Sequence, residues 1–115
     1  MTTKEGAVHW LLNSAVLAAG AYGEYRYEPS SWAALRAALD SGTVLTSRIG
    51  YPETAKLIER ETGWRPPISR EPSVLAPGDT AYIVRLRYRV DPRTKGAATG
   101  AAPEGWEIAF LTRIT

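Results

Sequence analysis

The sequence predicts a single α/β domain, its strands interspersed with two helices. Three observations carry this. Ala7–Asn13 is apolar on both of its alternating faces, the pattern of a strand covered on both sides. Two amphipathic runs, beginning at Trp32 and Tyr51, place apolar residues at helical spacing and end on glycines. Two late segments, Thr80–Val90 and Gly105–Thr115, alternate with period two. The chain has 115 residues, the size of one domain, with no internal repeat.

In chain order, Met1–Gly6 is polar and expected to fray. In Ala7–Asn13, Val8, Trp10 and Leu12 face one way and His9, Leu11 and Asn13 the other. Asn13-Ser14 then stands at the strand's carboxyl end, where α/β sheets place their ligands. An asparagine in such a place is more commonly a turn residue bonding its own backbone. Ala15–Ala21 is a small-residue connection, and Tyr22–Tyr27 a short edge strand. Pro29-Ser30-Ser31 stops it and caps a helix whose stripe is Trp32, Leu35, Ala38 and Leu39, with Gly42 as the stop. Thr43–Thr46 reads as a brief extended piece. A helix from Tyr51 to about Thr62 ends at Gly63, with Ala55, Leu57 and Ile58 inward and Glu53, Lys56, Glu59 and Arg60 outward.

Trp64–Pro67 is a rigid connection. Ile68–Leu75 reads as a strand that Pro72 confines to an edge or a bulge. Pro77-Gly78-Asp79 is a turn. In Thr80–Val90, Tyr82, Val84, Leu86, Tyr88 and Val90 share one face, with Ile83, Arg85, Arg87 and Arg89 on the other. The three guanidiniums follow one another at roughly 6.5–7 Å along the strand. Such a row either meets an anionic ligand, through one arginine rather than three, or is neutralised by acids on the neighbouring strand such as Glu107. Asp91–Glu104 is rich in glycine, alanine and proline and reads as a mobile loop. In the closing strand, Trp106, Ile108, Phe110 and Ile114 share a face.

Composition narrows the chemistry. The chain is 44% hydrophobic and 23% charged with a formal charge of +2, a globular balance compatible with a small anionic ligand. Blocks of like charge are missing, so neither DNA nor a membrane is an expected partner. Cysteine is absent, which excludes disulfides, zinc–thiolate sites and thiol catalysis, and fits a cytoplasmic setting. The single histidine, His9, rules out multi-histidine metal sites, so no metal and no cofactor is expected.

Ser47-Arg48-Ile49-Gly50-Tyr51-Pro52 is the stretch of most interest. Gly50 permits a tight approach to the helix, and Pro52 suits its first turn. Unpaired N–H groups and partial positive charge there can seat an anion, with the Tyr51 ring at the rim. Most helix beginnings, however, hold only water.

The order of these parts resembles a known family. A strand ends Leu-Leu-Asn-Ser-Ala. It is followed by Ser-Arg-Ile-Gly-Tyr-Pro-Glu-Thr-Ala-Lys-Leu, Ser69-Arg70, a strand ending Arg87-Tyr88-Arg89-Val90, and Trp106-Glu107-Ile108-Ala109-Phe110. Over nearly the whole chain this resembles the viral ring nucleases, type III anti-CRISPR proteins first seen in archaeal viruses. The resemblance implies an α/β domain with a mixed sheet of about five strands flanked by helices, and a homodimer holding cyclic tetra-adenylate between its subunits. It also implies metal-independent cleavage, with a ribose 2′-hydroxyl attacking the adjacent phosphate and a histidine protonating the leaving 5′-oxygen. The setting would be the cytoplasm, that of a host if the gene is viral.

By motif, Asn13, Gly50, Arg70 and Arg89 take the family's asparagine, glycine and ligand-contacting arginines. Ser14, Ser47 and Ile49 are the accompanying ligand contacts. The catalytic histidine position is Tyr51, and the family's glutamate falls around Pro92, with Asp91 the closest carboxylate. Tyr51 and Asp91 are therefore the catalytic candidates. Both departures strike the chemistry rather than the binding, because a phenol is a far weaker acid than an imidazolium. His9 lies about 13 Å back along its strand from Asn13 and cannot substitute. Three readings follow: a ring nuclease with weakened or altered chemistry, a cyclic-nucleotide sponge or sensor, or an interaction module retaining only the fold.

Overall fold

The structure is a computed structural model and describes residues 8–14, 22–86 and 106–115. Its elements are β1 (His9–Leu12), β2 (Tyr25–Pro29), α1 (Trp32–Asp40), β3 (Thr46–Arg48), α2 (Pro52–Thr62), β4 (Thr80–Leu86) and β5 (Trp106–Arg113). The five strands form one mixed sheet in the order β2-β5-β4-β1-β3. β1 pairs in parallel with both β3 and β4, while β5 runs antiparallel to β4 and β2. The α/β class and the interior place of β1 agree with the sequence reading, and the mixed sheet with what the resemblance implies.

The predicted two-sided burial of β1 explains its position. Leu11 joins Val84 and Ile108 in a core cluster with Leu35 of α1 and Ala55, Leu57 and Ile58 of α2. Both helices therefore lie on one face. Trp10 and Leu12 point the opposite way, into a second cluster with Ala81, Ile83, Ala109, Leu111 and Leu75. Among the described residues that face is covered by irregular chain around Leu75 rather than by a helix. Each fully buried leucine or isoleucine in these clusters contributes about 1.5–3 kcal/mol.

Both helix boundaries have local causes. Ser31 caps α1, its hydroxyl accepting the Ala34 N–H at 3.1 Å. Pro52 opens α2, and Gly63 closes it in the left-handed region (φ 84°), with its N–H on the Glu59 carbonyl.

Four expectations change. β2 begins at Tyr25 rather than Tyr22 and extends to Pro29, which an edge strand tolerates because the missing N–H faces no partner strand. β3 is Thr46–Arg48, two residues beyond the expected piece, because its register is set by β1: Trp10 opposes Thr46 and Leu12 opposes Arg48. Ile68–Leu75 is not a strand; a single bridge joins Ile68 to Ile49. The prolines at 66, 67, 72 and 77 remove the donors a longer ladder would need. Ile114 lies beyond the end of β5 and is exposed, so it does not share the buried face of Trp106 and Ile108. The expected fraying of residues 1–6 and the loop 91–104 lie outside the described residues.

Candidate functional site

The carboxyl ends of β1 and β3 meet the beginning of α2, and a cleft of about 270 Å³ opens there. Its walls include Asn13, Ser14, Arg48, Gly50, Tyr51, Ser69, Arg70 and Glu71. A second hollow of about 190 Å³ adjoins it and shares Asn13 and Tyr51. Thr54, Val84, Arg85 and Trp106 complete that hollow, so Tyr51 stands between a polar and a largely apolar space.

Residues distant in sequence are bonded together here. The Asn13 side-chain carbonyl accepts the Gly50 N–H at 3.1 Å, joining β1 to the turn before α2. Asn13 is thus a cross-link between elements, not a turn residue serving its own backbone. Arg70 Nε donates to the Gly50 carbonyl at 3.0 Å, and its guanidinium lies 5.2 Å from the centre of the Tyr51 ring. Gly50 is flanked on both sides: a Cβ at this position would lie 3.3 Å from Arg70 Cγ and 3.9 Å from Asn13 Oδ1. That crowding is why glycine suits the position. Tyr51 is the N-cap residue of α2, and its side chain makes no capping hydrogen bond.

Ser47 and Ile49 do not line the cleft but support its wall. Ile49 is fully buried, its N–H bonded to Ser47 Oγ and its carbonyl to the Ser69 N–H. Ser47 Oγ donates to the Pro67 carbonyl at 2.7 Å. Together these bonds hold segment 67–69 against the β3–α2 turn, which places Arg70. His9 sits at the opposite end of β1, its Nδ1 2.8 Å from Thr80 Oγ1, as its distance from Asn13 required. Arg89 and Asp91 lie outside the described residues.

The arginine row resolves for its first member. Arg85 opposes Glu107 in the β4–β5 register and meets its carboxylate at 2.6 Å, the neutralised arrangement weighed above. The hydrogen bond to Glu107 pushes the Arg85 pKa up, so this side chain stays charged and committed. Tyr27 donates to the same carboxylate oxygen. Its pKa is raised, first by burial and further by the Glu107 charge, against the opposing pull of Arg85.

Two cleft residues escaped sequence reasoning. Arg48 was treated as part of a helix lead-in, yet it closes β3 on the side of the sheet facing Trp10, its guanidinium 5.1 Å from the indole centre. Glu71 is ion-paired to it at 3.5 Å. Only period-two alternation through Thr46–Arg48 could have signalled this, and three residues are too few to read. With Arg48, Arg70 and the amino end of α2 against Glu71, the cleft is cationic and can hold an anion. Among the described residues no cluster of histidine, aspartate and glutamate is placed to hold a metal ion, and no helix is long and apolar enough to cross a membrane.

Comparison with known proteins agrees with this architecture. No curated protein matches the chain. Among solved structures, B116 of Sulfolobus turreted icosahedral virus matches with a TM-score of 0.64 at 16% identity, over 93% of this chain and 100% of that one. At that identity the likeness is one of fold. The model of the STIV B116-like family matches residues 9–99, most of the sequence including every element from β1 to β4. The chain therefore belongs to the STIV B116-like family.

Proposed function

We propose that this protein binds a cyclic oligoadenylate, cyclic tetra-adenylate first, in a cleft shared by two copies of the chain. We further propose that it opens the ring without a metal, countering or switching off type III CRISPR signalling. One observation carries the reading: Asn13, Gly50, Tyr51 and Arg70, picked out separately along the sequence, converge on one cationic cleft. A ring of phosphodiesters needs such a surface, and a two-fold pair of clefts would match a ligand that itself repeats.

In this reading a phosphate lies beside Arg70 and the start of α2, where guanidinium donors and helix N–H groups favour negative charge. Arg70 spends Nε on the Gly50 carbonyl, and a guanidinium carries four further N–H donors. A base occupies the apolar hollow against Tyr51, Val84 and Trp106. Arg89, by its place in the motif, adds a second phosphate contact.

Cleavage would proceed by in-line attack of the 2′-hydroxyl, driven by positioning and by stabilisation of charge on the phosphate. As the O2′–P bond forms and the P–O5′ bond breaks, the 2′-hydroxyl proton would pass to water. The leaving 5′-oxygen would take a proton from the Tyr51 hydroxyl or from water hydrogen-bonded to it, and Asp91 would be the nearest carboxylate by motif. Tyr51 also favours a second reading, in which the ring is bound and kept intact by a sponge or sensor. A phenol is a far weaker acid than the imidazolium of the family's motif, and its ring can stack on a base and hold it without chemistry.

Incubating the purified protein with radiolabelled cyclic tetra-adenylate separates the outcomes. Retention with linear products supports the nuclease, and retention of the intact ring supports the sponge or sensor. Failure to retain any of several cyclic oligonucleotides refutes both.

A further inference from the structure

Arg48 is a cation built into the cleft wall with only a loose internal partner. Its Nη1 is anchored on the Ser47 carbonyl at 3.0 Å and its guanidinium stacks on Trp10. The side chain is 21% exposed, and Nε is buried without a hydrogen bond. Its carboxylate partner is the reverse. Glu71 is 77% exposed and reaches Arg48 Nη2 only at 3.5 Å, beyond the range of a strong charged hydrogen bond. Arg85 and Glu107, at 2.6 Å, show what a committed pair in the same protein looks like.

An exposed carboxylate at that distance contributes little and leaves at little cost, because water takes over its solvation. An anchored, stacked guanidinium loses little freedom on receiving a new anion. We propose that Arg48 is a further phosphate-binding residue of the cleft, and that Glu71 is its resident counter-anion, displaced when a ligand phosphate arrives. Glu71 thereby sets the affinity threshold: weak anions do not displace it, and a polyvalent phosphate ester does. This rests on the reading of the cleft as a cyclic oligoadenylate site and adds a residue and a device to it.

The test is a double-mutant cycle with fluorescent cyclic tetra-adenylate, using Glu71→Gln, Arg48→Gln and the double variant, each checked by thermal melting. Glu71→Gln alters an exposed side chain and should melt like the parent. It should bind about two- to fivefold tighter, the range an exposed ion pair can release. Arg48→Gln should bind about tenfold weaker or worse, and in that background Glu71→Gln should change nothing. Unchanged or weaker binding by Glu71→Gln, or equal tightening without Arg48, overturns the proposal. If the parent protein does not bind the ring at all, the cyclic-nucleotide reading fails. Arg48 is then judged by NMR with inorganic pyrophosphate. A shifted Arg48 Nε–H resonance, moving further in Glu71→Gln at the same concentration, sustains the anion site, and an unmoved resonance overturns it.

Discussion

Replacing Asp79 with asparagine should destabilise the fold while sparing the cleft. Asp79 is 3% exposed and ties the start of β1 to the turn before β4. Oδ1 accepts the Val8 N–H at 2.9 Å, and Oδ2 accepts the Ala76 N–H at 2.8 Å and the Trp10 indole N–H at 3.3 Å. An amide has one acceptor oxygen where the carboxylate has two, so at least one of these donors would face an NH₂ group. Losing one charged hydrogen bond and weakening the others should cost about 2–4 kcal/mol. A domain of this length has roughly 6–17 kcal/mol in total, so Tm should fall by about 8–16 °C.

The pH dependence identifies the cause. Burial alone would raise the Asp79 pKa. The N–H bonds from Val8, Ala76 and Trp10, with the nearby His9, outweigh it and hold the carboxyl below its ordinary value of 3.8. A depressed native pKa gives stability that is fully present above the unfolded value and disappears as pH falls through the native one. The gap in Tm between parent and variant should thus be constant near neutrality and shrink below about pH 4. Thermal melts from pH 7 down to pH 2.5 test this. A Tm loss under about 2 °C at pH 7, or a gap that does not narrow in acid, would refute the account.

Three other substitutions have defined outcomes. Gly50→Ala brings a methyl within 3.3 Å of Arg70 Cγ, so Arg70 must give by a few tenths of an ångström and its bond to the Gly50 carbonyl weakens; affinity for cyclic tetra-adenylate should drop about two- to fivefold while Tm moves little. Calorimetric titration beside a melt measures both, and parent-like affinity would count against the placement of Arg70. Tyr51→His should speed ring opening in single-turnover assays with binding retained, and a flat rate would argue against Tyr51 occupying the proton-donor position. Ser31→Ala removes the cap bonded to the Ala34 N–H and should cost about 1 kcal/mol by urea unfolding, without changing ligand affinity.

What the sequence disclosed depended on how local the cause was. β4 and β5 declare themselves by alternation, α2 by Pro52 and Gly63, and α1 by Ser31 and its leucine stripe. β3 was displaced because its three residues acquire strand geometry from β1, some 36 positions away. Ile68–Leu75 reads as an edge strand in sequence, yet Pro72 and the prolines flanking it leave it as irregular chain, with Leu75 1% exposed against the sheet face. The cleft was half legible. Motif order gave Asn13, Gly50, Tyr51 and Arg70. The bonds uniting them span 37 and 20 residues and have no local signature. Ser47 and Ile49 belong to the same motif, yet both side chains are buried and turn inward.

The arginines show what coordinates add to a charge count. A basic balance and a row of guanidiniums cannot say which cation awaits a ligand, because every arginine looks alike in sequence. Partner geometry sorts them. Arg85 is matched at 2.6 Å by Glu107. Arg113 is used up on the carbonyls of Tyr22, Leu75 and Thr115, with its guanidinium over Tyr25, and closes the far end of the sheet. Arg70 is held instead by one backbone carbonyl and an aromatic face, contacts that orient a guanidinium without cancelling its charge; Arg48 is held likewise, with only the exposed Glu71 at 3.5 Å as counter-charge. Orientation without neutralisation is what an anion site requires, and both of these arginines line the same cleft. Within the cleft two guanidiniums face one exposed glutamate, which leaves the hollow cationic although the formal charge of the chain is only +2.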